Sequence, residues 1–133
     1  MVEQLQKLLE NSYSPYSHFK VASIVITKDG KAFSGVNIEN SSFGGTICAE
    51  RNAINSAVTS GYKKGDFKEI YIMCDEENFG MPCMICRQTF IEFFTNDITI
   101  YVYNNKGEVK SFTLNELCPY PFSEEDLKWK VDL

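Results

Sequence analysis

The chain has 133 residues with 44% hydrophobic and 14% aromatic content, which is one domain's length and excludes a disordered chain. Thirteen basic residues stand against eighteen acidic ones, for a net charge of −5 with no basic block, so nucleic acid and anionic membrane are excluded as expected partners. No stretch approaches the roughly 18 uninterrupted apolar residues of a membrane span, and Met1 is followed by a polar amphipathic run; the expected compartment is the cytoplasm.

In chain order, residues 2–11 place Val2, Leu5, Leu8 and Leu9 at helical spacing, and Pro15 with its hydroxyl neighbours ends that helix. Residues 19–27 are β-branched and apolar, and Asp29-Gly30 is a hairpin turn leading into a second strand, KAFSGV. Residues 37–47 read as loop. A helix spans 48–60, with Ala53, Ile54 and Ala57 spaced for burial and Gly61 at its end. EIYIMCD is a buried strand and CMICRQTFIEFF a helix opened by Pro82, with Phe90, Phe93 and Phe94 as a core stripe. ITIYVYN is a third long strand, Asn105-Lys106-Gly107 turns it, and EVKSFTL returns as an edge. The tail SEEDLKW starts a last short helix at Ser123. The pattern is that of an α/β fold: a three-layer α/β/α sandwich with a mixed sheet of about five strands, forming a single domain over residues 1–133.

Five cysteines in a chain expected in the cytoplasm point to metal or catalysis before disulfides. Cys48, in C-A-E at 48–50, and the pair Cys83 and Cys86, in P-C-M-I-C at 82–86, each open a helix. Helix starts brought to one sheet edge let three thiolates converge on one zinc ion, with a fourth position open for water. Glu50, two residues after a ligand, can then carry protons. Cys74 at the end of a buried strand and Cys118 in the tail read as structural, and His18, outside both motifs, as non-catalytic.

With SPYS at 14–17, GVNIEN at 35–40, CAERNAI at 48–54, PCMICRQ at 82–88 and LNELCPYPFSEEDL at 114–127, the chain resembles the small homotetrameric zinc type of cytidine deaminase. The resemblance implies Cys48, Cys83 and Cys86 as zinc ligands and Glu50 as the proton carrier in hydrolysis of cytidine, and of 2′-deoxycytidine, to the uridine product and ammonia. It implies Asn37 and Glu39 on the ribose, the Ala49 backbone and Phe19 on the base, and Phe122 reaching a neighbouring subunit's site. Arg51 and Gln88 match residues that support the zinc thiolates. Two positions depart from the family: Met84-Ile85 stand where small residues are usual between the ligands, and Phe43 where a Tyr is common. Deamination of another aminopyrimidine nucleoside such as blasticidin S, or a non-catalytic zinc-stabilised assembly module, are the alternative readings.

Overall fold

The structure is a computed structural model that describes residues 1–127. Helix α1 (Val2–Leu9) buries Leu5 and Leu9 against one face of a sheet, on Ala22, Ile24 and Met73. Strands β1 (Val21–Thr27) and β2 (Ala32–Val36) form the expected hairpin, whose turn has Gly30 at φ 89°, a left-handed conformation that glycine adopts without steric cost. A single 3-10 turn, Phe43–Gly45, interrupts the loop that follows, where only irregular chain was expected. Helix α2 (Ala49–Thr59), strand β3 (Phe67–Cys74), helix α3 (Met84–Phe93) and strand β4 (Thr99–Tyr103) come next, and β5 (Val109–Thr113) closes the sheet.

Among the described residues there is one five-stranded sheet, ordered β2-β1-β3-β4-β5. The β3–β4 pair joined through α3 is parallel and the other three pairs are antiparallel, so the sheet is mixed. Its second face is covered by α2 and α3, whose Ala53, Ile54, Ala57, Cys86 and Phe90 pack on Val25, Ile70, Ile72, Ile100 and Val102. With α1 on the opposite face, this gives the three layers of an α/β/α sandwich. The phenylalanine stripe belongs to the core: Phe90 and Phe94 are buried and stack at 5.1 Å.

Two details differ from expectation. A short helix α4 (Leu114–Leu117) replaces part of the tail; Thr113 accepts from the Glu116 amide, and the Glu116 carboxylate accepts from the Thr113 amide, a reciprocal capping box that stabilises so short a segment. The final helix is a 3-10 turn over Glu124–Leu127, where Ser123 Oγ accepts from the Glu125 amide; Lys128 and Trp129 of the expected segment lie outside the described residues.

One glycine decides where α2 sits. A Cβ on Gly35 of β2 would lie 2.5 Å from the Ala49 carbonyl oxygen and 2.5 Å from the Ala53 amide nitrogen, both helix backbone. Only a residue without a side chain lets helix and strand approach this closely. Asn52 secures the contact by donating from Nδ2 to the Val36 carbonyl at 2.8 Å.

Candidate metal centre and active site

Cys48 is the N-cap of α2 and Cys83 the N-cap of α3, both in extended backbone conformation, while Cys86 lies in the first turn of α3. Neither capping side chain is used to bond its own helix. The two helix starts thus aim three sulfurs at one point, where the positive ends of the helix dipoles favour thiolate charge. The three Sγ atoms lie within 4.8 Å of one another, and Cys48 and Cys83 are 3.7 Å apart. Tetrahedral zinc with Zn–S bonds of about 2.3 Å separates its sulfurs by about 3.8 Å, so the donor set fits zinc in spacing as well as in softness. Cys86 is buried, Cys48 half-buried and Cys83 exposed, which leaves the cluster open on the Cys83 side. Cys74 and Cys118 lie outside the cluster; their sulfurs face the Asn78 carbonyl at 3.2 Å and the Arg87 carbonyl at 3.8 Å.

The charges around the sulfurs are arranged in opposition. Hydrogen bonding from the Cys86 thiol, reinforced by Arg51, brings Cys48 down to about 5, whereas that same bond and burial push Cys86 up. Arg51 Nη2 lies 3.8 Å from Cys48 Sγ and 3.4 Å from the Thr46 carbonyl oxygen. Its Nε is buried with no hydrogen-bond partner among the described residues. Glu50 is 4% exposed, and burial, with the neighbouring Cys48 charge adding to it, raises its carboxyl to about 7. A carboxyl poised there can both take and give a proton near neutral pH.

Of the residues matched to the nucleoside, Phe19, Asn37 and Glu39 lie outside the helices and strands, the Ile38–Ile47 bridge brings the stretch of Asn37 and Glu39 beside the chain entering Cys48, and Ala49 opens α2. Glu39 Oε1 accepts from the Tyr16 and Ser17 amides at 3.0 and 3.1 Å, and Oε2 accepts from the Ser17 hydroxyl. Those bonds, the Ser17 hydroxyl foremost, hold its carboxyl below the usual range. Asn37 is buried: Oδ1 accepts from Ser12 Oγ and from the Val21 amide at 2.9 Å, and Nδ2 donates to the Phe19 carbonyl at 2.7 Å. One amide hydrogen of Asn37 is left for a ligand. Phe19 is half-exposed with its ring edge against Gly80, and Ala49 is fully buried. Phe43, 78% exposed, meets Tyr16 edge-on at 6.3 Å beside Glu39.

Gln88 is placed elsewhere than the thiolates: its Nε2 donates to the Phe122 carbonyl at 2.7 Å. Two residues follows a ligand by 200° of helix rotation, so Gln88 leaves α3 on the side away from Cys86. Sequence reasoning passed over Gly35, Asn52 and Arg87. No local signal marks them, since each acts on a segment distant in the chain.

A three-thiolate centre with an adjacent buried carboxyl, at the start of two helices on one face of a mixed sheet, defines the class of zinc deaminases that act on nucleic-acid bases. The profile described as the cytidine and deoxycytidylate deaminase zinc-binding region matches residues 1–102. The chain belongs to that family of zinc enzymes. It is 36% identical to the cytidine deaminase of Sporosarcina psychrophila, over 99% of this chain and 96% of that one. It is 41% identical to the cytidine deaminase of Mycoplasma genitalium, over 93% and 94%. The crystal structure of the cytidine deaminase from Burkholderia pseudomallei superimposes with a TM-score of 0.86 at 37% identity, covering 91% of this chain and 95% of that one.

Proposed function

We propose that the chain, as one 133-residue deaminase domain, hydrolyses cytidine and 2′-deoxycytidine to the corresponding uridine nucleosides and ammonia. The observation that carries this is the juxtaposition of Glu50, buried and raised to about 7, with the three sulfurs. Cys48, Cys83 and Cys86 would hold zinc, which would supply a Lewis acid that lowers the pKa of water toward neutrality. Glu50 would take a proton from the attacking water and deliver it to N3 of the pyrimidine, then take the proton of the new C4 hydroxyl and pass it to the departing amine. Arg51 draws charge from the Cys48 sulfur, which offsets the excess anionic charge of three thiolates on a divalent ion. Glu39, held rigid by the Tyr16–Ser17 turn, accepts from a ribose hydroxyl; the remaining Asn37 amide hydrogen donates to the sugar. The Ala49 backbone and the Phe19 ring flank the base. Incubation of the zinc-loaded protein with cytidine and, in parallel, blasticidin S tests the reading: loss of cytidine absorbance with release of ammonia is the expected result. Turnover of blasticidin S alone, or of neither, would overturn it.

The active unit in this reading is a cytoplasmic homotetramer with shared sites. Its support is exposed apolar surface on and beside α3: Met84 is 73% exposed, Ile85 62% and Phe122 57%. Bulk between the ligands therefore does not pack inside the domain. A second copy of the chain covers it, and Phe122 crosses to the neighbour's pocket. Mixing Phe122→Ala with Glu50→Gln protein should restore activity that neither parent shows. Confirmed subunit exchange without any recovery would end the shared-site reading. Among the described residues, no helix is long and apolar enough to cross a membrane.

A further inference from the structure

We infer that Gln88, together with Arg87, is a positioning residue that fastens the segment carrying Phe122 to the zinc helix. Two consecutive residues of α3 hold this segment at its two ends. Arg87 bridges backbone carbonyls: Nε donates to Pro82, just before the ligand Cys83, at 2.9 Å, and Nη1 donates to Leu117, the last residue of α4, at 3.0 Å. Gln88 Nε2 holds the Phe122 carbonyl at 2.7 Å. Between the anchors the segment stands off the helix over a cavity of about 230 Å³, lined by Met84, Gln88, Ile91 and Leu117 among others.

Met84, Gln88 and Ile91 recur at helical spacing and share the side of α3 that this cavity occupies. Side-chain packing is therefore incomplete under residues 118–121, and the polar anchors set where the Phe122 backbone lies. Its ring is more than half exposed. A guanidinium forked between two carbonyls also ties the zinc loop at Pro82 to the same segment, so metal site and Phe122 are referred to one rigid helix. Gln88 acts through Phe122: its hydrogen bond goes to that carbonyl and not to a ligand sulfur.

This role rests on the reading that Phe122 completes a substrate pocket. The test compares zinc-loaded wild type, Gln88→Leu, Phe122→Ala and the double variant in four respects: KM and kcat for cytidine, the pH–rate profile, and zinc loss to a chelator. Gln88→Leu removes the donor from an exposed position and should raise KM about two- to tenfold, the size of one net hydrogen bond. Its kcat, acidic pH limb and zinc retention should match wild type, and the double variant should be no worse than Phe122→Ala. Gln88→Glu, which can only accept when ionised, should repeat the KM effect. Faster zinc loss or a displaced pH limb in Gln88→Leu would return Gln88 to thiolate support and overturn the inference. Additive KM effects, or an unchanged KM where Phe122→Ala is impaired, would overturn it as well. An unimpaired Phe122→Ala would instead remove the pocket reading on which the role depends.

Discussion

The two helix starts that supply the sulfurs are built differently. The first turn of α2 is sunk in the fold: Ala49 and Glu50 are buried, Gly35 admits the helix backbone against β2, and Asn52 is bonded to the same strand. The first turn of α3 faces outward, with Cys83, Met84 and Ile85 exposed and only Cys86 turned to the core. Chemistry that depends on a desolvated carboxyl belongs on the buried, immovable start, because its raised proton affinity comes from exclusion of water. The outward start supplies ligands too, but its remaining surface is free to meet another chain.

Substitutions can break this division. Glu50→Gln, on the buried side, should lower kcat by about 10²-fold or more while zinc stays stoichiometric, as measured by deamination rate and metal content. Near-normal turnover in that variant would sink the proton-carrier role. Arg51→Gln should weaken zinc binding by about 10-fold and move the acidic limb of the pH–rate profile to higher pH, since less charge is drawn from Cys48. An unshifted profile with unchanged affinity would assign Arg51 to the Thr46 carbonyl alone.

Gly35→Ala forces α2 away from β2 and should cost about 1–3 kcal/mol in denaturant unfolding, with a fall in kcat, whereas Gly44→Ala, which meets nothing within 4 Å, should do neither. Equal behaviour of the two glycine variants would mean that α2 is not seated by that contact. The smallest effect on folding is expected on the outward start. Met84→Ser with Ile85→Ser should leave the domain's own stability within about 0.5 kcal/mol yet shift sedimentation toward smaller species. A double variant that keeps the wild-type sedimentation would remove these two side chains from the subunit contact.

A separate pH measurement isolates Glu50 in zinc-free protein. Its folded-state carboxyl is raised above the unfolded one, so the folded state binds the extra proton between about 4.5 and about 7 and loses stability as pH rises through that window. Glu50→Gln should therefore gain stability relative to wild type over the same window, seen as a difference between thermal melts. Parallel melting curves would show that the carboxyl is not desolvated.

Much of the fold could be read along the chain because its signals are local. Apolar period, the Asp29-Gly30 turn and the Gly61 stop each act within a few residues, and they yielded the helices and strands with ends displaced by at most two positions. Cys48, Glu50, Cys83 and Cys86 were legible for a similar reason: zinc chemistry needs those residue types at helix starts, and the motifs are contiguous. Residues 114–117 were missed as a helix because the Thr113–Glu116 capping box holds four residues that periodicity cannot distinguish from loop.

What only the tertiary structure decided concerns residues whose partners are remote in sequence. Gln88 stands beside a ligand in the chain, yet helix rotation points it to Phe122, 34 residues away. Asn37 is matched to sugar, yet three of its four hydrogen-bonding positions are taken by Ser12, Phe19 and Val21. Gly35 looks like one more strand residue until α2 is laid 2.5 Å from its missing side chain. The sequence by itself determined which atoms can bind zinc and carry protons, because that follows from side-chain chemistry. Which of them are buried, braced or left exposed was decided by packing, because desolvation and close approach exist only once distant segments meet.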